Sequence, residues 1–282
     1  MTAISAQMIK ELRERTGVAM GKCKEALAEA NGDMDLAIEN LRKSGAASAV
    51  KKASRETKEG QIGFVENEKQ VALVEVSAET DFVVNNERFQ EFLSQMADEA
   101  LKISPKSLED FLKAKSTVQP ELTIEELRTN LVQSLGENIQ IKRLEMLDKS
   151  QDKSLGVYSH MRGKILTVVE LKGTNGEEEL AKGIAMHVAA ASPEYLNPEA
   201  VPASVIEQER AIAKDQMKGK PENIIEKILA GKLEAYYGEV CLNRQKYIRD
   251  DSLTIDQLVE KRSKEIGKPL KLVSFTRWNV GN

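Results

Sequence analysis

Two cysteines, two histidines and no apolar run near the thickness of a bilayer are the scarcities that shape this 282-residue chain. Cys23 and Cys241 lie far apart, each in a segment of helical pattern. A disulfide-stapled secreted scaffold is therefore not expected, nor a zinc site built on cysteine. The reading for both is a small, partly buried thiol. His160 and His187 have no second histidine at ligand spacing, which leaves zinc hydrolase chemistry without support. No stretch approaches the ~20 apolar residues that cross a bilayer. Met1 to Lys10 lacks the basic-then-apolar order of a signal peptide, so the expected place of work is the cytoplasm. A basic excess is missing too. The net charge is −4 with 30% charged residues, which argues against an electrostatic nucleic-acid binder without excluding a local basic patch. Neither a G-x-x-x-x-G-K-S/T phosphate loop, a G-x-G-x-x-G turn nor a G-x-S-x-G elbow occurs. What remains is a 41% hydrophobic chain, with core enough for one large domain or two to three smaller ones. Its expected class is α+β, acting by binding another protein rather than by catalysis.

The chain opens as three short helices. Ser5 caps the first, which carries Met8 and Leu12 and ends at Thr16, where Gly17 interrupts. Val18 to Ala30 forms the second, with Met20, Cys23, Leu27 and Ala30 as an apolar stripe. Asn31-Gly32 turns the chain and Asp33 caps the third, which carries Leu36, Ile38 and Leu41 and stops at Ser44-Gly45. Residues 1–46 thus form a small bundle. Residues 47–59, including the charged Lys51 to Lys58, read as a solvated linker.

Beyond it the period changes to strands over Gln61 to Val65 and Gln70 to Val76. The second is apolar on both faces, so it should be central. Ser77 to Asn86 is a non-periodic crossing. Phe89, Phe92, Leu93, Met96 and Leu101 follow at helical spacing. Helices are expected at Ser107 to Lys113 and Thr123 to Leu135, the latter with a Thr123/Glu126 capping box and a Gly136 stop. A strand follows at Ile139 to Leu144. Residues 60–144 make a first core subdomain and 145–282 a second. The second has strands at Gly156 to His160 and Ile165 to Leu171, then a helix from Glu177 to Ala191. Val71 to Glu75 resembles Leu166 to Glu170, with Gly60 and Gly156 opening the preceding strands, which suggests an internal duplication. Pro202 to Gly238 reads as a helical hairpin, with Ser204 and Glu207 as a capping box, Gly219 as a stop and Pro221 in the next first turn. A helix from Ile255 to Ser263 and a strand from Leu270 to Trp278 complete the order.

Few side chains gather into a site. His187 sits in an apolar helical stretch and reads as packed and hydrogen-bonded. His160, at a strand–turn boundary, reads as exposed and could serve a small-molecule enzyme with carboxylate partners. Glu79-Thr80-Asp81-Phe82-Val83 falls between a buried strand and a helix. Two readings stand there: Phe82 plugs the local core while Asp81 caps a turn, or Phe82 is an exposed anchor for a partner's pocket. An adaptor whose first helices hold a partner's tail is also compatible.

Several motifs in fixed order resemble the bacterial elongation factor Ts family, the nucleotide exchange factors for elongation factor Tu. They are Leu12-Arg13-Glu14-Arg15-Thr16-Gly17, Cys23 to Leu27, Asn31-Gly32-Asp33, Leu41 to Gly45, Glu79 to Val83, Gly136 to Ile139, Tyr158-Ser159-His160 and Ile184 to His187. The resemblance implies an N-terminal module of the ubiquitin-associated type and a core of two related subdomains with a protruding helical hairpin. It implies a non-catalytic factor without cofactor or resident metal, whose partner is the GTPase elongation factor Tu. Leu12, Arg13, Thr16, Gly17, Val18 and Met20 would grip the partner's nucleotide-binding domain. Thr80, Asp81, Phe82 and Val83 would reach toward its magnesium site, and His160 would face another of its domains. Val84-Asn85-Asn86 departs from the family's basic and polar continuation. A C-terminal helical extension found in some members is not expected after Trp278.

Overall fold

The computed structural model describes residues 4–215 and 222–281. It is mixed helix and sheet, in two units. The first holds the described residues up to Asp148 with 162–164 and those from Asn279 on; the second holds 149–161 and 165–278.

In the first unit, α1 (Ala6–Thr16), α2 (Met20–Glu29) and α3 (Met34–Lys52) enclose Leu12, Cys23, Leu27, Ala37 and Leu41. Ser5 Oγ accepts from Met8 N, and Asp33 accepts from Asp35 N and Leu36 N, so each cap supplies an acceptor to orphan first-turn amides. Gly17 closes α1 at φ 69°, a conformation open to glycine without a Cβ penalty. Met20 is 51% exposed, outside the buried stripe of Cys23, Leu27 and Ala30.

Ser44-Gly45 does not stop α3. The helix continues to Lys52, so most of the expected linker's first half is helical. The reason is tertiary. Gly45 is buried against α7 (Ile124–Leu135), where a Cβ would sit 2.7 Å from Gln133 Oε1. Gln133 Nε2 donates to Ser44 Oγ at 3.2 Å. Close approach of the two helices outweighs the roughly 0.5–1 kcal/mol that a helix-interior glycine costs.

β1 (Glu59–Glu66), β2 (Gln70–Ala78) and β3 (Ile139–Asp148) form an antiparallel sheet with β2 central, as its two apolar faces require. Buried Glu75 on β2 pairs with Arg143 on β3, whose Nε donates at 2.6 Å. After α4 (Asp81–Val84), α5 (Glu87–Ile103) lays Phe89, Phe92, Leu93 and Met96 on the sheet. α6 (Leu108–Lys113) precedes α7, whose Thr123/Glu126 capping box forms and whose end at Gly136 has φ 85°. Fully buried Glu99 on α5 accepts from Ser116 Oγ, Thr117 N and Val118 N, fixing the loop between α6 and α7.

In the second unit, β4 (Lys153–His160) and β5 (Ile165–Lys172) form a hairpin covered by α8 (Glu178–Ala191). Next come α9 (Ala203–Asp215), α10 (Glu222–Val240), β6 (Lys246–Tyr247), β7 (Asp250–Thr254), α11 (Ile255–Ile266) and β8 (Lys271–Asn279). β8 lies beside β5, while β6 and β7 pair separately. α9 and α10 bury Ala213 and Leu229 between them. Ser204 is not a cap. α9 already includes Ala203, and Ile206 N donates to Pro202 O, so Ser204 lies inside the first turn. The expected roles of Gly219 and Pro221 fall outside the described residues.

The two hairpins share a register. Ile62 faces Glu75 and Gly63 faces Val74, just as Leu155 faces Glu170 and Gly156 faces Val169. Gly63, not Gly60, therefore corresponds to Gly156. Both meet the covering helix: a Cβ on Gly63 would lie 3.1 Å from Leu93 Cγ, and one on Gly156 2.0 Å from Lys182 N.

Candidate functional site

The chain leaves the buried end of β2 and must turn before α5 can pack. Thr80 provides the turn by capping α4, its Oγ1 accepting from Val83 N at 3.4 Å. Successive helical residues are about 100° apart, so a one-turn helix distributes an apolar trio to different surroundings. Val84 is buried, Val83 packs half-buried on the core, and Phe82 is 84% exposed. Phe82 therefore does not plug the local core; its ring stands in water. Asp81 is exposed at the first helical position, and Thr80, not Asp81, supplies the cap.

The residues after the signature complete the turn. Asn85 Nδ2 donates to Asp81 O at 2.9 Å, and Asn86 Oδ1 caps α5 by accepting from Arg88 N at 3.0 Å. From the far end of α7, Glu137 holds the cap itself: Thr80 N donates to its Oε2 at 3.0 Å and Thr80 Oγ1 to its Oε1 at 2.7 Å. Glu79 answers in the opposite direction, accepting from Asn138 N at 2.6 Å. Glu79 also pairs with Arg55 at 3.4 Å, and Asn138 Nδ2 donates to Arg55 O at 2.8 Å. Lys52 stands near both glutamates, but burial first, and then Arg55 and Lys22, hold its pKa below the ordinary lysine value. Sequence reading singled out Glu79 and Glu137 only as parts of motifs. The Thr80–Glu137 link spans 57 residues and the Glu79–Asn138 link 59, and neither has a local signal.

The N-terminal residues separate by depth. Leu12 and Val18 are interior and support the surface rather than forming it. Arg13 and Met20 are exposed. Thr16 Oγ1 donates to Leu12 O at 2.7 Å. Gly17 O accepts from Arg88 Nη1 at 2.7 Å and from Ser134 Oγ at 3.0 Å, so α5 and α7 hold the α1–α2 turn.

In the second unit His160 is exposed at the end of β4, its ring stacked on Tyr158 with centroids 5.9 Å apart and Nδ1 3.1 Å from the phenol oxygen. The hairpin then turns through Met161 and Arg162 at φ 50° and 54°. His187 is buried as expected. Ile248 N can only donate, so Nδ1 accepts from it at 3.3 Å, and Nε2 carries the proton toward Gln245 Oε1 at 2.9 Å. Burial holds this imidazole below its ordinary pKa, the Gln245 bond opposing. The thiols of Cys23 and Cys241 are buried, and burial raises both, Cys241 to about 11. Neither is a ready thiolate near neutral pH.

Among the described residues no group of three or more histidine, cysteine or acidic side chains is placed to hold a metal ion, and no helix is long and apolar enough to cross a membrane. What α4 presents is an aromatic ring in water, a carboxylate beside it, and a frame of hydrogen bonds around the turn.

A family model described as elongation factor TS matches residues 79–282, beginning at the glutamate that opens this loop. The chain is 59% identical to elongation factor Ts of Protochlamydia amoebophila, 43% identical to that of Chlamydia caviae and 42% identical to that of Chlamydia muridarum. Each comparison runs over 281 residues and covers 100% of both chains.

Proposed function

The chain belongs to the elongation factor Ts family of translation elongation factors, and on that premise we propose that it binds the GDP form of elongation factor Tu and promotes GDP release in the cytoplasm. The observation that carries the reading is the 84% exposure of Phe82 on a one-turn helix held at its cap. Exchange needs no covalent step. A factor that prefers the nucleotide-free partner must weaken nucleotide binding by the same factor, by linkage. Phe82 enters an apolar pocket of the partner, and Asp81 disturbs the neighbourhood of the magnesium ion and phosphate loop. Each backbone donor displaced from a phosphate oxygen costs roughly 1.5–3 kcal/mol. Two such losses speed release by about two to four decades if they appear in the off-rate.

Arg13 and Met20 are the exposed candidates for a second contact, built on Leu12, Thr16, Gly17 and Val18, and His160 is a third. α1 to α3 serve as a ubiquitin-associated-type module. The common register of the two hairpins supports a core of two related subdomains, with α9 and α10 as the protruding hairpin. Release of a fluorescent GDP from elongation factor Tu, with this protein substoichiometric, tests the reading. Acceleration with turnover is the expected result, and no acceleration of a proven active partner defeats it.

A further inference from the structure

Glu137 is half-buried just past the end of α7, and it makes two hydrogen bonds to one residue of the presenting loop. We propose that Glu137 is a positioning residue that holds the α4 turn in its presenting conformation before any partner arrives, an inference that rests on the proposed exchange role of Phe82. Three observations converge on it. The carboxylate takes both donors of Thr80, its amide and its hydroxyl, at 3.0 and 2.7 Å. The same hydroxyl oxygen caps α4, accepting from Val83 N, so one group orders the residue that orders the helix. The partner strand returns the contact through Glu79 and Asn138 N, closing a reciprocal pair of carboxylate-to-amide bonds between the β2–α4 and α7–β3 connections.

A four-residue helix has no stability of its own, because nucleation is unfavourable and few internal bonds follow. Its sequence-local supports are the Thr80 cap, the Asn85 bonds and Gln90 Nε2 donating to Val84 O. Its long-range supports are the burial of Val84 in the core and Glu137. It stands where it does because Gly136 ends α7 in the left-handed region and throws the chain back toward β3. Bonds to an ionised acceptor are stronger than neutral ones, so Glu137 is the strongest single constraint on the cap. A loose turn would still display Phe82, but in many directions, and the ordering would then be charged against the step that weakens GDP.

The test combines E137A, E137Q, F82A and the E137A/F82A pair in the full chain. Amide hydrogen exchange and release of fluorescent GDP from elongation factor Tu are read for each. In E137A, protection at Val84 and Asn85 should fall about tenfold, with Val74 in the central strand unchanged. The maximal release rate should fall by a similar factor, with less effect on the concentration giving half-maximal rate. E137Q should be intermediate, because the amide retains an acceptor for Thr80 N. In the F82A background the E137A substitution should slow release much less than it does in the parent chain. Unchanged α4 protection in both Glu137 variants overturns the proposal, as does an equal slowing of release by E137A with and without Phe82. If F82A itself leaves release unchanged, the proposed exchange role of Phe82 fails, and α4 protection still decides whether Glu137 orders the turn.

Discussion

Phe82 lies two residues before buried Val84 and yet remains in water. Removing its ring leaves no cavity, so Phe82→Ala should melt with the parent chain while slowing GDP release by about two decades or more, from the donor losses given above. Calorimetry and stopped-flow release check the two halves. Asp81→Ala should give a milder loss, seen as an altered dependence of exchange on magnesium concentration. Gly156 makes the opposite kind of prediction. A Cβ there would meet Lys182 N at 2.0 Å and Ala181 C at 2.1 Å, backbone atoms of α8 that cannot rotate aside. Gly156→Ala should lower stability by about 3 kcal/mol or prevent folding, measured by urea denaturation. The sequence located the Phe82 turn but left its direction open. Direction depends on which member of the Phe82-Val83-Val84 trio the one-turn helix aims inward, and three consecutive apolar residues do not encode that. The Glu137 contact was out of reach for another reason: its partner is fixed only once β2 and β3 pair.

Elements were legible where their signals are local. The caps at Ser5, Asp33 and Thr123 and the glycine stops at Gly17 and Gly136 form as read. The helix opened by Thr254 runs three residues beyond its expected end, to Ile266. Two signals of the same kind failed. Ser44-Gly45 looked like a stop because glycine weakens a helix, but its missing side chain is what lets α3 lie on α7. Ser204/Glu207 satisfies the capping pattern, but backbone pairing begins earlier, at Pro202. The short β6–β7 pair went unseen because two residues of Lys246–Tyr247 carry no period. The α3–α7 contact changes what a truncation means. A chain beginning at Gly60 should lose affinity for its partner, and it should also unfold at lower temperature, because the face of α7 around Gln133 loses the cover of Gly45 and Ala49. Parallel binding and melting measurements check this; an unchanged melting temperature would show that α3 does not stabilise the core.

For the whole molecule, two buried titratable groups set an acid limit. His187 has a folded pKa below its ordinary 6.5, so the unfolded chain binds the proton first and stability should decline as pH falls through that value. Burial pushes Glu99 upward, but its bonds from Ser116, Thr117 and Val118 outweigh this and leave it below its ordinary 4.5. Its contribution is therefore present above that value and is lost as pH falls toward the folded value. Urea midpoints should drop between pH ~7.5 and ~5.5, and again below pH ~4.5. E99Q should be destabilised near neutrality yet converge on the parent chain in acid.

The unbroken α3 also has an angular meaning. A flexible tether forgets how many residues it contains, whereas a helix keeps count, each residue adding about 100° of rotation and 1.5 Å of advance. One residue inserted between Gly45 and Lys52 would put α1 and α2 out of phase with the sheet and with the α4 turn that carries Phe82. The same insertion at 54–57, past the helix end, would be absorbed by the turn.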